Sequence, residues 1–440
     1  MVKVVKFGGS SLASASQFMK VKSIITSDKA RNYVVPSAPG KRFSDDTKVT
    51  DMLYGCYALA EEDKDFSEEL KAIQARYNEI IAGLSLNTDL SSEFDTITEN
   101  FKNKAGRDYA ASRGEYLNGI IMADYLGYTF VDAAKYVYFD EAGNFLSEET
   151  NTALSEYLAT VPKAVIPGFY GSILATGQVK TFSRGGSDIT GSIVARAINA
   201  DIYENWTDVS GVLIVDPRIV KGALPIEVVT YKELRELSYM GASVLHEDAI
   251  FPVRKAGIPI NIKNTNAPDD PGTLIVENTC KNSKHIITGI AGKKGFCSVN
   301  IEKDMMNSEI GFGRRVLQAF EDNGISFEHM PSGIDTLTVF VHQSEFEAKE
   351  QLVLNELQKL TNPDSIDLEA NLALIAVVGR GMKSMRGTAG KIFSALTEHN
   401  INIRMIDQGS SELNIIIGVA DEDFELAIQA IYATFVNEEE

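Results

Sequence analysis

Residues 1–14 read MVKVVKFGGSSLAS, and this stretch sets the fold class. Val2, Val4, Val5 and Phe7 read as a buried β-strand, which the Gly8-Gly9 pair ends abruptly. From Ser10 onward, Leu12, Ala15, Phe18, Met19 and Ile25 fall at helical spacing, with Ser10 or Ser11 expected near the helix cap. A glycine-rich turn from strand to helix presents bare backbone N–H groups at the positive end of a helix dipole. Lys6 adds a cation beside that turn. Two readings stay open on this stretch alone: a phosphate cradle, or a tight first turn with a surface lysine.

Working outward, the same alternation continues. Strands are expected at RNYVVPSAPG (31–40), YTFVDA, KAVIPGFYGS, ADIYENW and IPINIKN, and helical patterns fill residues 61–125. Further helices, SDITGSIVARAINA and SVLHEDAIFPVRKAG, separate the later strands. Such alternation argues for a mostly parallel sheet covered on both faces, an α/β three-layer αβα arrangement. The polar segment ENTCKNSKH (277–285) marks its end, and the first domain is expected over 1–280.

Beyond it the chain repeats itself. GFGRRVLQAFEDNGISFEHMPSGIDTLTVFV, starting at Gly311, aligns without a gap on GTAGKIFSALTEHNINIRMIDQGSSELNIII, starting at Gly387, an offset of 387 − 311 = 76. Gly311/Gly387, Ala319/Ala395, Ile325/Ile401, Gly333/Gly409 and Leu337/Leu413 are identical pairs. Each copy reads as a βαββα(β) unit of ferredoxin-like layout, expected over 286–365 and 366–440 with interleaving at the C-terminus. Exposed edges on such sheets favour pairing with a sister copy, so these units read as a regulatory or dimerisation module.

Composition narrows the function. Asp+Glu total 61 against 42 Lys+Arg, a formal net charge of −19. That balance repels nucleic acid and anionic membranes, so any phosphate site must concentrate positive charge locally. The 3 cysteines are scattered without CxxC spacing, and the 5 histidines form no HExxH or Cys/His cluster; this points to a reducing compartment and away from a bound metal. With no signal-peptide pattern and no apolar run of about 20 residues, the expectation is a cytoplasmic protein.

Three further loops bear chemistry. In FSRGGSDITGS, Arg184 precedes Gly185-Gly186 and Ser187-Asp188 at a helix start, offering a bidentate fork for a carboxylate beside bare backbone. In ENWTDVSGVLIVDPR, Thr207, Asp208, Asp216 and Arg218 surround a turn and strand, while the lone Trp206 reads as packing. In SRGEYLNG, Glu115 lies inside a helix, where it serves the dipole or, with Arg184, holds the ammonium and carboxylate of an amino acid.

Together these stretches resemble the aspartate kinase (aspartokinase) family of the amino-acid kinase superfamily. The matching residues are KFGGSS, SAPGKRFSDDTKVTD, SRGE, SRGGSD, WTDVSGV, DPR, VLHEDAI and the paired repeats, which resemble ACT domains. The resemblance covers essentially the whole chain. It implies ATP- and Mg²⁺-dependent phosphorylation of the β-carboxylate of L-aspartate to 4-phospho-L-aspartate, opening the route to lysine, threonine and methionine. Carried over by motif, Lys6, Gly8, Gly9 and Ser10 meet the ATP phosphates. Ser37, Thr50, Glu115 and Arg184 hold aspartate, and Lys6, Arg184 and Asp188 are the catalytic residues. Thr207, Asp208, Asp216 and Arg218 form the nucleotide end. The sequence departs from the family at Ser243: it reads GASVLH where GAKVLH is common, leaving Lys263, another cation, or Lys6 with Mg²⁺ to supply that charge.

ACT-like repeats imply feedback by an end-product amino acid bound near Met306, Ser308, Gly311, Phe312, Ser332, Gly333, Ile334 and Asp335. The acidic Glu309 and Asp335 there favour lysine over threonine. A homodimer through the repeats is expected, with a tetramer as the alternative. Competing readings are a superfamily member with glutamate, acetylglutamate or a nucleotide as acceptor, and a sensor whose catalytic half has decayed. The β-carboxylate is already ionised at neutral pH, so attack needs no general base.

Overall fold

Strand Lys3–Phe7 runs through the middle of an eight-stranded sheet, and its neighbours on both sides explain why Val4, Val5, Lys6 and Phe7 are all buried. A strand flanked on both edges and covered on both faces has no solvent side, so alternation gives way to a continuous run. The computed structural model describes residues 1–436 except Arg184, Ser243, Val244, His246, 280–285 and Ser384. Spatial order across the sheet is Thr129–Phe130, Ala164–Val165, Arg31–Pro36, Lys3–Phe7, Ile202–Thr207, Ile260–Asn264, Thr273–Val276 and Val228–Thr230. Every pairing is parallel except that of Ile260–Asn264 with Thr273–Val276.

Helices cover both faces, as the alternation of elements requires. On one side Ala15–Ser27, Val49–Glu61, Ser67–Gly83, Ser91–Lys102 and Arg107–Leu126 share a core with Val5, Phe7, Val34 and Val165. On the other, Gly186–Ala197 packs on the central strands with Glu247–Ala256 beside it. Two local expectations change. The turn after the first strand is a short 3₁₀ segment, Gly9–Leu12, and the α-helix starts only at Ala15; its cap is Ser14, whose Oγ accepts from Gln17 N, instead of Ser10 or Ser11. KAVIPGFYGS is two strands, not one: Ala164–Val165 joins the large sheet and Tyr170–Ile173 a separate three-stranded one. The break falls at Pro167, which donates no N–H, and at Phe169, held at φ 78°.

The chain forms two compact units. One comprises Met1–Val212, Pro225–Tyr231 and Ser243–Thr279; the other comprises Leu213–Leu224, Lys232–Ala242 and Cys280–Glu440. The second unit is built on a six-stranded antiparallel sheet ordered Phe327–His329, Thr336–His342, Gly289–Glu302, Ser365–Val378, Asn414–Ala420 and Met405–Asp407. Its two central strands are 14 residues long, and each serves both repeats. The stretch 296–302 pairs with Thr336–His342 in the first repeat, while 289–294 lies beside 373–378 in the second. The fourth strand of the second repeat therefore precedes the first repeat in sequence.

The repeat itself is visible in the backbone. Gly311 and Gly387 both cap their helices in the left-handed region, at φ 82° and 88°, and helices Phe312–Asp322 and Thr388–Glu398 follow. The gapless alignment then slips. The last hairpin strands begin at Thr336 and Asn414, an offset of 414 − 336 = 78, so Leu337 is equivalent to Ile415 and not to Leu413.

Candidate active site

The end of the first strand brings two glycine turns into contact. Gly8 N donates to Trp206 O at 3.0 Å, Ser37 N to Phe7 O at 3.1 Å, and Gly40 N to Gly9 O at 2.8 Å. A side chain on either of the latter glycines has no room: a Cβ on Gly9 would sit 2.9 Å from Ala38 O, and one on Gly40 would sit 2.5 Å from Gly9 C. Gly9 and Ser10 open the 3₁₀ segment, so their amides have no acceptor within it. The phosphate logic of the turn thus rests on these short-range amides, with the α-helix dipole beginning five residues later.

These turns form one wall of a cavity of about 580 Å³. It is lined by Gly8, Gly9, Ser10, Ser37, Thr50, Glu115, Thr207 and Asp208, so eight of the expected site residues converge, and by the loop 38–44 with Lys48. Glu115 projects from helix Arg107–Leu126 and is buried, with Oε2 lacking any hydrogen-bond partner. Burial pushes its carboxyl up to about 8, against the pull of the Ala38 backbone and Arg113. Arg113 itself is buried among the Tyr109, Tyr116 and Tyr170 rings, 4.3–5.5 Å from their centroids. Asn118, one turn on from Glu115, donates to Ser37 O at 2.7 Å and holds that loop.

Lys6 stands beside the glycine turn, its ammonium 3.7 Å from where a Cβ on Gly8 would sit. Its ammonium lies 2.6 Å from Asp188 Oδ1 and 3.3 Å from Asn205 Oδ1, and Asn205 Nδ2 also donates to Asp188 at 2.7 Å. The glycine-led helix forms as expected: Gly185 takes the left-handed conformation (φ 58°), Gly186–Ala197 follows, and Asp188 falls in its first turn. Arg184 and Ser243 lie outside the described residues. Lys263 is half-buried with its ammonium 5.3 Å from the Trp206 ring, burial lowering its proton affinity, and it does not line the cavity. Trp206 is a packing residue, stacked on Phe7 and donating to Glu204 at 2.9 Å. Asp216 and Arg218 fall in the second unit, where they pair with each other at 2.6 Å.

Sequence reading did not single out Asn205, Asn118 or Arg76. Arg76 is buried, donates to Gly40 O and, at 2.5 Å, to Thr47 O, and pairs with Asp46 at 3.0 Å. Nothing in its local sequence, RYNEI on an amphipathic helix, marks it as the anchor of a distant loop. Among the described residues no group of three or more His, Cys, Asp or Glu side chains is placed to hold a metal ion.

Comparison with known proteins decides the family. The amino acid kinase family matches residues 1–264, and an ACT domain matches residues 375–435. Aspartokinase 3 of Bacillus subtilis is 42% identical, across 99% of this chain and 98% of its own length. The chain belongs to the aspartokinase family. It is an aspartate kinase, a phosphotransferase with a carboxyl group as acceptor. The aspartate kinase of Clostridium acetobutylicum, 53% identical, superposes with a TM-score of 0.90 over 99% of both chains. The fold extends to aspartokinase III of Escherichia coli, at a TM-score of 0.74 and 24% identity over 99% of both chains. On this aspartokinase, the expected effector loops also meet: Asn307 N donates to Ile334 O at 3.1 Å and Met305 N to Asp335 Oδ1 at 3.0 Å. Met306 and Phe312 are buried beneath them, whereas Ile310 and Ile334 are exposed. Glu309, read as a candidate ammonium partner, is already engaged by Lys303 (2.9 Å) and Arg315, and Lys303 holds its carboxyl below the usual range.

Proposed function

We propose that the cavity is where MgATP and L-aspartate meet, and that the enzyme phosphorylates the β-carboxylate to give 4-phospho-L-aspartate, the entry to lysine, threonine and methionine biosynthesis. The observation that carries this reading is Glu115. A buried carboxylate with one oxygen unpartnered, facing a cavity walled by bare glycine backbone, is built to receive a cation that arrives with the substrate. The α-ammonium of aspartate is such a cation. Ser37 and Thr50 then flank the substrate, and Arg184 is assigned its carboxylate by motif.

The chemical problem is electrostatic. An anionic nucleophile must approach a polyanionic triphosphate, and two unit charges about 4 Å apart repel by about 4 kcal/mol at an effective dielectric near 20. Gly8, Gly9 and Ser10 offer amides to the phosphates, and Lys6 offers a charge whose position is fixed by Asp188 and Asn205. Thr207 and Asp208 face the nucleotide. Mg²⁺ enters as part of the nucleotide substrate and shields its oxygens. Positioning and charge stabilisation are the catalytic terms.

In the second unit we assign the loops 305–312 and 332–335 to a feedback effector. With Glu309 engaged, Asp335 is the acid that favours lysine over threonine. The exposed Ile310 and Ile334 beside it suit burial against a second copy, a homodimer through the ACT repeats. No helix of the described residues is long and apolar enough to cross a membrane; we assign the enzyme to the cytoplasm. Domain limits are proposed at 1–280 for the kinase domain and at 286–365 and 366–440 for the two ACT repeats, which interleave. The test is to incubate enzyme, ATP and Mg²⁺ with aspartate, glutamate or UMP and trap acyl phosphate with hydroxylamine. Aspartyl hydroxamate is expected; hydroxamate from glutamate alone would overturn the reading.

A further inference from the structure

Three basic residues line the cavity, and all of them fall within the stretch SAPGKRFSDDTKVTD. Lys6 lies beside the Gly8 turn and is paired with Asp188 at 2.6 Å, while Lys41, Arg42 and Lys48 line the cavity. Arg42 is taken by Asp46 at 2.9 Å and by Glu79 at 3.2 Å. Lys41 donates only to a carbonyl, Ser44 O, at 3.1 Å. Lys48 has no carboxylate partner among the described residues. Moreover, it occupies the N-cap of helix Val49–Glu61 without making a cap hydrogen bond. That is the positive end of the helix, where a cation is disfavoured and an anion is welcome.

The backbone beneath both lysines is fixed. Arg76, buried, donates to Gly40 O, the residue before Lys41, and to Thr47 O, the residue before Lys48. One guanidinium therefore pins the loop at its two ends, and Lys41 and Lys48, each next to a pinned carbonyl, both line the cavity.

We propose that Lys48, with Lys41 across the loop, forms a phosphate-contacting cation pair of this enzyme in addition to Lys6; the proposal rests on the cavity being the phosphoryl-transfer site. The ligand chemistry is the β- and γ-phosphate oxygens of the nucleotide, not the carboxylates of aspartate. Arg76 acts through the loop as a positioning residue.

The test compares wild type with Lys48→Ala, Lys41→Ala and Lys48→Arg, by calorimetric titration of MgADP and of adenosine and by the hydroxamate assay. Lys48→Ala is expected to weaken MgADP and raise the KM for ATP by about tenfold or more, to leave adenosine binding and the KM for aspartate unchanged, and to recover in Lys48→Arg. The salt dependence of MgADP binding should become shallower. Unaltered MgADP affinity and turnover in both alanine variants would overturn the assignment, as would a rise confined to the KM for aspartate or an equal loss of adenosine binding. If wild type itself forms no aspartyl hydroxamate, the cavity reading falls and takes this proposal with it.

Discussion

Burial holds the carboxyl of Glu115 near 8, so in the free enzyme at neutral pH it is largely protonated. An unfolded glutamate titrates near 4.5. Between these values the folded chain retains a proton that the unfolded chain releases, so stability falls as pH rises from about 4.5 and levels off above about 8. The total is of the order of a few kcal/mol. Glu115→Gln should flatten this slope in denaturant midpoints measured from pH 5 to 8.5, while raising the KM for aspartate by tenfold or more. The wild-type slope persisting in the variant would remove Glu115 from this role. Binding of an ammonium at neutral pH should also drive a proton off Glu115, visible as a buffer-dependent heat in wild type and absent in the variant. The sequence made Glu115 and Lys6 legible as residue types beside telling neighbours. It could not reveal that Lys6 is clamped by Asn205 and Asp188, because these partners lie on another strand and a distant helix; the register Lys6↔Asn205 exists only once the sheet is assembled.

Among the elements, the contact between the turn 8–10 and the loop 38–44 is the joint on which the cavity depends. Gly40→Ala forces a Cβ into the Gly9 backbone, and overpacking of this kind costs about 1–3 kcal/mol. The expected outcome is a lowered denaturant midpoint together with an elevated KM for ATP, since the same shift moves the amides of Gly9 and Ser10. Full retention of both would mean that the two turns are not mechanically coupled. Strand and helix types were readable here because apolar spacing and glycine punctuation are local signals. The cap at Ser14 was not, because three serines (Ser10, Ser11, Ser14) compete within five residues, and burial of Ser11 against Thr265 at 2.8 Å removes it from capping. KAVIPGFYGS misled for the opposite reason: its apolar run is continuous, and it is split at Pro167 and at Phe169, whose φ is positive.

At the level of the molecule, feedback should be carried by one charge. Lysine is expected to inhibit, and Asp335→Asn, which removes the charge but keeps an acceptor for Met305 N, should raise the inhibitory concentration of lysine by tenfold or more without altering basal turnover. Inhibition by threonine alone, with lysine inert, would refute the assignment. The tandem repeat was legible because Gly311 and Gly387 must both adopt φ values that other residues avoid. Interleaving of the repeats was expected at the C-terminus; that 289–294 is a strand exchanged with the second repeat was not legible, since these residues resemble any other strand and their partner lies beyond residue 372.

The order of segments in the two units has a practical corollary. Three segments alternate with three, so the polypeptide crosses between the units five times. Helix Tyr231–Tyr239, encoded within the kinase-matching region, buries Glu233 against Arg380 at 2.8 Å and Thr288 at 2.5 Å. A gene stopped after codon 279 would strand that carboxylate without its guanidinium and leave two excursions with nothing to fold onto. Variants with altered regulation are therefore to be sought by point substitution in the proposed effector loops, because truncation is expected to leave 213–224 and 232–242 without the rest of their unit.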